Sequence, residues 1–80
     1  MIQVRYFAAA REASGTPAEE VSGPTTTGAL RAALSARHGP DLGDVLPKCA
    51  LLVAGARAAT DETPVPDGAT VDVLPPFAGG

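Results

Sequence analysis

Apolar and polar residues alternate along the first strand-like stretch of the chain, residues 2–7. One face of this stretch would carry three large apolar side chains: Ile2, Val4 and Tyr6. The opposite face would be polar except at its last position, Phe7. A period of two residues is typical of a strand that buries one face against a core and leaves the other uncovered. Phe7 is therefore an aromatic side chain on a face that we expect to be open.

A second alternating run lies near the other end of the chain, in residues 70–74. Val71 and Val73 would face the core, and Leu74 would face the opposite side. If the two runs form neighbouring strands, Phe7 and Leu74 lie together on the open face. Exposed apolar clusters of this kind often mark a partner surface. A shift of phase at a bulge, or a loop across the sheet, would instead remove both residues from that surface.

Between these runs the sequence predicts one main helix, residues 27–38. Thr26 fits an N-cap, and Gly39 followed by Pro40 is the usual signal for a helix end. Three residues at helical spacing would form the stripe that faces the core: Leu30, Ala33 and Leu34. Arg31 would lie on the outer side of the helix.

Shorter patterned stretches surround this helix. The predicted elements are a helical turn over residues 8–14, closed by Gly15, and strands over residues 16–21, 49–54 and 57–60. The predicted connections are residues 41–47, as a loop or one helical turn, the irregular residues 61–66, and a turn at residues 67–68. One helix on one face of a mixed four- to five-stranded sheet is an α+β architecture of the β-grasp, or ubiquitin-like, type. The first and last strands would be central and parallel.

Composition limits the class of protein. Eighty residues form one small domain, and 45% hydrophobic with 19% charged residues is typical of a globular chain. The net charge of −3 argues against a nucleic-acid partner, because phosphate-binding domains usually carry a basic patch. There is no signal-peptide pattern and no apolar run near the length of a membrane span, so no membrane partner is expected. A single cysteine, Cys49, permits no intrachain disulfide and favours the reducing cytoplasm.

The interior offers little material for a self-contained active site. The phosphate-binding pattern Gly-x-Gly-x-x-Gly is absent. One histidine, His38, and one cysteine are too few for a typical zinc site, so no bound metal or cofactor is expected. We expect His38 to be a solvated residue at the helix end and Cys49 to be a small buried hydrophobic residue.

The last six residues are better suited to chemistry than the interior. Two prolines block further strand pairing, because proline has no N–H to donate. Two glycines follow, and a backbone without Cβ atoms can thread a narrow slot. Six extended residues reach about 20 Å, which is enough to enter the active site of a partner. We therefore expect residues 1–74 to be globular within a single domain, 1–80, and residues 75–80 to form a flexible tail. The hypothesis is that the α-carboxylate of Gly80 is the reactive group. The alternative is a flexible terminus without a function.

Residues spread over the whole chain form a set with characteristic spacing: Met1, Ile2, Val4, Tyr6, Phe7, Ala8, Arg11, Glu12, Gly15, Thr26, Leu30, Leu34, Asp67, Gly68 and the ending from Leu74 to Gly80. This set resembles the small subunit of molybdopterin synthase, the MoaD type within the MoaD/ThiS family of ubiquitin-like sulfur carriers. The opening strand with its Arg-Glu-x-x-Gly segment and the Pro-Pro-x-x-Gly-Gly ending are specific when they occur together.

The resemblance implies a cycle of sulfur transfer. A partner enzyme would use ATP to adenylate the carboxylate of Gly80, and sulfur would then replace the adenylate to give a thiocarboxylate. The tail would enter the large synthase subunit, in a two-plus-two heterotetramer, and donate sulfur to the molybdopterin precursor to form its dithiolene. The small protein itself would bind no cofactor and would have no independent active site.

The resemblance also implies roles for individual residues. Gly80 would carry the sulfur, and Gly79 would give clearance in the slot. The residues that would line the channel of the partner are Pro75, Pro76, Phe77 and Ala78. The docking surface would consist of Phe7, Ala58 and Leu74, although Ala58 is smaller than the large apolar residue expected at its position.

Other functions remain open at this point. A related carrier for thiamine thiazole or cysteine synthesis would use the same chemistry at Gly80, although the segment from Arg11 to Gly15 favours molybdopterin over thiamine. A ubiquitin-like protein modifier would join Gly80 to target proteins, and with Lys48 as its only lysine it would have few routes to chains of itself. A third class is a β-grasp binding module without an activated terminus.

Overall fold

The computed structural model describes residues 1–76. The strands are β1 (Ile2–Tyr6), β2 (Ala18–Val21), β3 (Thr25–Thr26), β4 (Ala50–Val53), β5 (Ala56–Arg57), β6 (Pro64–Val65) and β7 (Thr70–Leu74). The helices are α1 (Ala8–Ser14), α2 (Thr27–His38) and α3 (Pro40–Val45), and a 3-10 turn, Leu46–Lys48, follows α3. None of these helices has the length and apolar character needed to cross a bilayer.

Five of the strands form one mixed sheet in the order β2-β1-β7-β4-β5. Its two central strands, β1 and β7, run parallel, with Val4 opposite Val71 and Tyr6 opposite Val73. The other pairings in this sheet are antiparallel. This arrangement, with helices on one face, confirms the predicted β-grasp fold and its central parallel pair.

The core lies between this sheet and the helices, and it confirms the strand phases. The side chains of β1 and β7 that the alternation assigns to the core have no exposed surface: Ile2, Val4, Val71 and Val73. Helix α2 contributes Leu30 and Leu34, which are almost completely buried. Burying a large aliphatic side chain of this kind contributes about 1.5–3 kcal/mol to folding, before the loss of conformational entropy is counted.

Both ends of α2 are formed as the sequence predicts. The side chain of Thr26 accepts a hydrogen bond from the backbone N–H of Ala29 at 3.3 Å, which satisfies one of the free donors at the helix start. The helix ends at Gly39, whose φ of 78° is readily adopted only without a Cβ atom.

Two predictions about the faces of α2 are wrong. Ala33 is exposed, and the buried stripe consists of Thr27, Leu30 and Leu34 instead. Arg31 is half-buried rather than on the outer side, because its guanidinium donates to the backbone carbonyls of Leu46, at 2.5 Å, and Cys49, at 3.0 Å. The chain that follows α2 folds back over this side of the helix and supplies those carbonyls.

That returning chain contains elements that the sequence indicated weakly or not at all. Helix α3 and the 3-10 turn bury Leu42 and Leu46, where the sequence predicted a loop or one turn. Pro40 occupies the first turn of α3, a position that proline tolerates because no N–H is needed there. Residues Pro64–Val65 pair with Thr25–Thr26 in a separate two-stranded sheet, inside the stretch predicted to be irregular.

The cysteine is buried as predicted. Cys49 is 5% exposed, and its thiol lies 3.3 Å from the carbonyl oxygen of Val45. Burial raises the pKa of the Cys49 thiol and outweighs the opposing effect of the Arg31 cation. A thiol that resists ionisation is a poor nucleophile, so Cys49 is a structural residue.

His38 lies at the end of α2, as predicted, but it is half-buried rather than solvated. His38 lies edge-on to the ring of Tyr6, with 5.9 Å between ring centroids, and its Nε2 contacts the carboxylate of Glu19. The same carboxylate accepts a hydrogen bond from the hydroxyl of Tyr6 and one from Arg37, both at 2.6 Å. This Glu19 cluster joins β1, β2 and the end of α2, and its partners come together only in the folded chain.

The Glu19 cluster predicts a loss of stability in acid. Burial raises the pKa of Glu19, but hydrogen bonds from Tyr6, Arg37 and His38 outweigh it and hold the pKa below its ordinary value of 4.5. Because the folded-state pKa is depressed, the carboxylate stabilises the fold above pH 4.5, and this contribution disappears as the pH falls through the folded-state pKa. The difference in unfolding free energy between wild type and Glu19→Gln should therefore shrink between about pH 5 and pH 3 in urea titrations.

The matched control is Glu12→Gln, which removes one exposed carboxylate from α1. Its difference from wild type should change less over the same range of pH. A wild-type advantage over Glu19→Gln that is constant from about pH 5 to pH 3 would contradict the role assigned to this carboxylate.

Gly28 occupies the first turn of α2, where most other residues would favour the helix more strongly. Its backbone N–H donates to the carbonyl oxygen of Asp61 at 2.8 Å. A Cβ atom at position 28 would lie 2.7 Å from the Cβ and 3.0 Å from the carbonyl oxygen of Asp61. Glycine is therefore needed for the close approach of the chain near Asp61 to α2.

Gly28→Ala should destabilise the fold by about 1–3 kcal/mol, although helix propensity alone favours alanine by about 1 kcal/mol. Gly43→Ala in α3 is a matched control, because its new Cβ would meet Ser35 at 3.7 Å or more, which is ordinary contact. Urea denaturation of both variants measures the effect. A Gly28→Ala protein as stable as Gly43→Ala would show that the chain near Asp61 moves away at little cost.

Candidate functional site

Phe7 lies between β1 and α1, at the edge of the open sheet face. The residue is 37% exposed. Its backbone N–H donates to the carbonyl oxygen of Val73 at 3.2 Å, and its own carbonyl accepts from Ala10 at 3.0 Å in the first turn of α1. The backbone of Phe7 is thus held by β7 and α1 while its ring faces outward.

An ion pair on the same face supports this ring. Arg5 donates two hydrogen bonds to the carboxylate of Asp72, at 2.6 and 2.9 Å, across the parallel pair β1 and β7. The guanidinium carbon of Arg5 lies 5.9 Å from the centroid of the Phe7 ring, within the range of a cation–π contact. A planar guanidinium held by two bonds has little freedom to move, so it limits the positions that Phe7 can adopt.

A groove lies beside the end of β7 on the open face. It has a volume of about 410 Å³ and is lined by Lys48, Ala50, Leu52, Arg57, Leu74, Pro75 and Pro76. The pairing of β4 with β7 places Ala50 opposite Leu74, and both are half-buried. We call this depression the tail groove, because residues 77–80 follow directly after Pro76.

The structure brings Phe7 and Leu74 to one face but not Ala58. The backbone N–H of Ala58 donates to the carbonyl oxygen of Leu51, and its side chain packs against the core. The neighbouring residue, Arg57, pairs with Leu52 and lines the tail groove. The role of Ala58 in docking stays a prediction.

The phase of Arg57 follows from the tight turn between β4 and β5. Ala54 and Gly55, with φ of 50° and 84°, form a two-residue connection between β4 and β5. Such a connection sets the register of the hairpin and starts β5 at Ala56 rather than at Arg57. The sequence predicted a strand over residues 57–60, whereas β5 is Ala56–Arg57.

The other residues that could bind a metal or act as nucleophiles in residues 1–76 do not form a cluster. No three His, Cys, Asp or Glu side chains in this part of the chain lie close enough together to hold a metal ion. The buried Cys49 and the hydrogen-bonded His38 are separate features.

Comparison with known families decides the class of protein. The model of the ThiS family matches residues 4–80, which is nearly the whole chain. The chain belongs to the ThiS family. This membership confirms the resemblance noted in the sequence and makes the protein a ubiquitin-like sulfur carrier of the MoaD/ThiS type.

Solved structures of the same fold come from archaea and bacteria. Small archaeal modifier protein 1 from Methanosarcina acetivorans is 26% identical, with a TM-score of 0.82 over 99% of this chain and 95% of that one. A chain in the complex of subunits 1 and 2 of molybdopterin-converting factor from Helicobacter pylori is 25% identical, with a TM-score of 0.72 over 99% and 97%. A protein from Pyrococcus furiosus described as subunit 1 of a molybdopterin converting factor is 22% identical, with a TM-score of 0.77 over 94% and 95%, and it supports the fold alone. Among curated proteins, none matches the chain.

The ThiS-family tail begins within the described part of the chain. Pro75 is buried, and Pro76 is exposed in a turn, so packing continues one residue beyond β7. Phe77, Ala78, Gly79 and Gly80 lie outside the described residues, and their assigned roles stay predictions. The described part of this carrier thus contains the open face and the start of the tail.

Proposed function

We propose that this protein is the sulfur-carrier subunit of a molybdopterin synthase. The observation that carries the proposal is the likeness, along 99% of this chain, to a chain in the complex of subunits 1 and 2 of molybdopterin-converting factor. The open face supports it as well, because an exposed Phe7 and a half-buried Leu74 near the start of the tail suit a protein partner.

The chemistry requires an activated terminus. A carboxylate oxygen of Gly80 attacks the α-phosphorus of ATP and releases pyrophosphate, which converts a poor electrophile into an acyl-adenylate with a good leaving group. A sulfide-level nucleophile then forms a C–S bond to the acyl carbon, AMP leaves with the electrons of the broken C–O bond, and a thiocarboxylate remains on Gly80. The carrier contributes the positioned terminus, since holding a reactant in place replaces a bimolecular encounter.

Two partners follow from this cycle. The first is the ATP-dependent enzyme that activates Gly80, and the second is the large synthase subunit that receives the tail. Phe7 and Leu74 would contact the partner, while Pro75, Pro76, Phe77 and Ala78 would line its channel and Gly79 would give clearance. Two copies of each synthase subunit would form the assembly. The carrier would bind no cofactor and would use the ATP held by the activating enzyme.

The decisive experiment measures intact mass. The protein is incubated with ATP, the adenylating enzyme and a sulfur donor, and the expected result is the mass gain of one sulfur-for-oxygen exchange at Gly80. The product is then mixed with the large subunit and cyclic pyranopterin, and dithiolene formation is measured. Absence of dithiolene, together with cysteine formation in the presence of an appropriate synthase, would overturn the molybdopterin assignment.

A second candidate function is protein modification. The observation that favours it is the TM-score of 0.82 to small archaeal modifier protein 1 from Methanosarcina acetivorans. In that case Gly80 would form isopeptide bonds with lysines of target proteins. Mass spectrometry of a cell lysate for peptides joined to Gly80 tests this directly, and no such peptides should appear if the protein serves only as a sulfur carrier.

A further inference from the structure

Three of the six cationic side chains of this acidic protein are neutralised by carboxylates within residues 1–76. The pairs are Arg5–Asp72, Arg31–Asp61 and Arg37–Glu19. The other three have no carboxylate at ion-pair distance in the described part of the chain: Arg11, Lys48 and Arg57. In a chain with a net charge of −3, uncompensated cations that cluster on one face are a departure from the average surface.

Two of these three cations line the tail groove. Lys48 stands at the end of the 3-10 turn, and Arg57 belongs to the edge strand β5, and both are exposed. The residues of the groove between them are mostly apolar, with Leu52 directly opposite Arg57 in the β4–β5 pairing. The groove therefore combines an apolar floor with positive charge at its sides.

We propose that Lys48 and Arg57 form a basic rim that binds carboxylates on the enzyme that activates Gly80, with an apolar side chain of that enzyme seated in the tail groove. The proposal rests on the proposed function. The charge of the rim calls for an acidic surface, and the floor calls for an apolar contact. Pro75 and Pro76 line the same groove, so a protein that takes up residues 77–80 approaches it.

The activating enzyme is the occupant common to the sulfur-carrier functions considered for this chain. Molybdopterin, thiazole and cysteine pathways differ in the acceptor of the sulfur, but all of them require Gly80 to be activated first. The carrier has to leave this enzyme after each loading. Charges at an interface rim suit such a short-lived complex, because they speed association more than they strengthen the bound state.

The test compares charge reversals that alter the net charge by the same amount. Arg57→Glu and Lys48→Glu change the rim, and Arg11→Glu is the matched control in α1, which lines a separate depression. The dissociation constant for the activating enzyme should rise by about tenfold or more for Arg57→Glu at low salt, with most of the change in the association rate. The dissociation constant of Arg11→Glu should remain within about twofold of that of the wild type. Added salt should narrow the difference in dissociation constant between Arg57→Glu and the wild type. Arg57→Lys should bind nearly as wild type does, because the charge is kept.

The outcomes separate this proposal from the proposed function. The role of the rim would be overturned if Arg57→Glu and Arg11→Glu bound the activating enzyme equally well. It would also be overturned if Arg57→Glu weakened binding to the large subunit alone. Absence of binding to the activating enzyme by the wild type would overturn it too. Binding that depends on the rim but brings no sulfur mass gain would support the rim and contradict the proposed function. A normal sulfur mass gain, combined with an affinity for the activating enzyme that Arg57→Glu leaves unchanged, would support the proposed function and contradict the rim.

Discussion

Deletion of Gly80 is expected to abolish the sulfur mass gain completely while the shortened chain still folds. Removing one residue shortens the reach of the chain by up to about 3.5 Å. Displacements of about 1 Å can already cost a hundredfold in the rate of a positioned reaction, so a shift of this size leaves the carboxylate out of reach of the activated phosphate. Intact mass spectrometry after incubation with ATP, the activating enzyme and a sulfur donor measures the effect.

Two controls accompany the deletion. Urea denaturation of the shortened and full-length proteins shows whether the loss of chemistry is a loss of folding. Glu62→Gln, an exposed change in the loop before β6, should gain sulfur as the wild type does. A shortened chain that still acquires sulfur would show that the reactive group is not the carboxylate of Gly80.

Phe7→Asp and Leu74→Asp are each expected to weaken binding to the large synthase subunit by about thirtyfold or more. Central apolar contacts in an interface typically contribute 2 kcal/mol or more, and a carboxylate placed there also has to be desolvated. Calorimetric titration with the large subunit gives the dissociation constants.

Ala36→Asp is the control for these two variants. It introduces the same carboxylate at an exposed position of α2, on the helical side of the sheet. Its dissociation constant should stay close to that of the wild type. If the three variants bind equally well, the open face of Phe7 and Leu74 is not the docking surface.

The parts of the fold that the sequence predicted are those with a local physical cause. The alternation in β1 and β7 follows from the period of two residues along a strand, and it correctly separated the core face from the face of Phe7 and Leu74. The ends of α2 depend on the hydroxyl of Thr26 and the positive φ of Gly39, and both are properties of single residues.

The parts that escaped prediction depend on contacts between distant segments. Helix α3 is six residues long and is stabilised by burying Leu42 under its neighbours, not by a repeating pattern. The partial burial of His38 depends on a carboxylate 19 positions away. The place of Arg57 beside the tail groove depends on the length of one turn, because a shift of one residue moves a strand's side chains to the other face.

The candidate site divides in the same way. That Phe7 and Leu74 lie on one face could be predicted from the alternation in the two strands, together with the assumption that these strands are neighbours in the sheet. The basic rim could not, because Lys48 and Arg57 are separated by a strand and a turn and look like ordinary surface cations in the sequence. Only the fold shows that they line the same groove as Pro75 and Pro76.

The position of β7 between β1 and β4 has a consequence for biosynthesis. Consider a nascent chain of which only the part up to β5 has left the ribosome. It contains β1 and β4, but it cannot join them into one sheet without β7. Folding has to wait until residues 70–74 emerge, and pairing between segments so far apart in the chain is a slow, late event. Because the tail follows immediately after β7, the segment that makes the carrier foldable is translated just before the segment that makes it reactive.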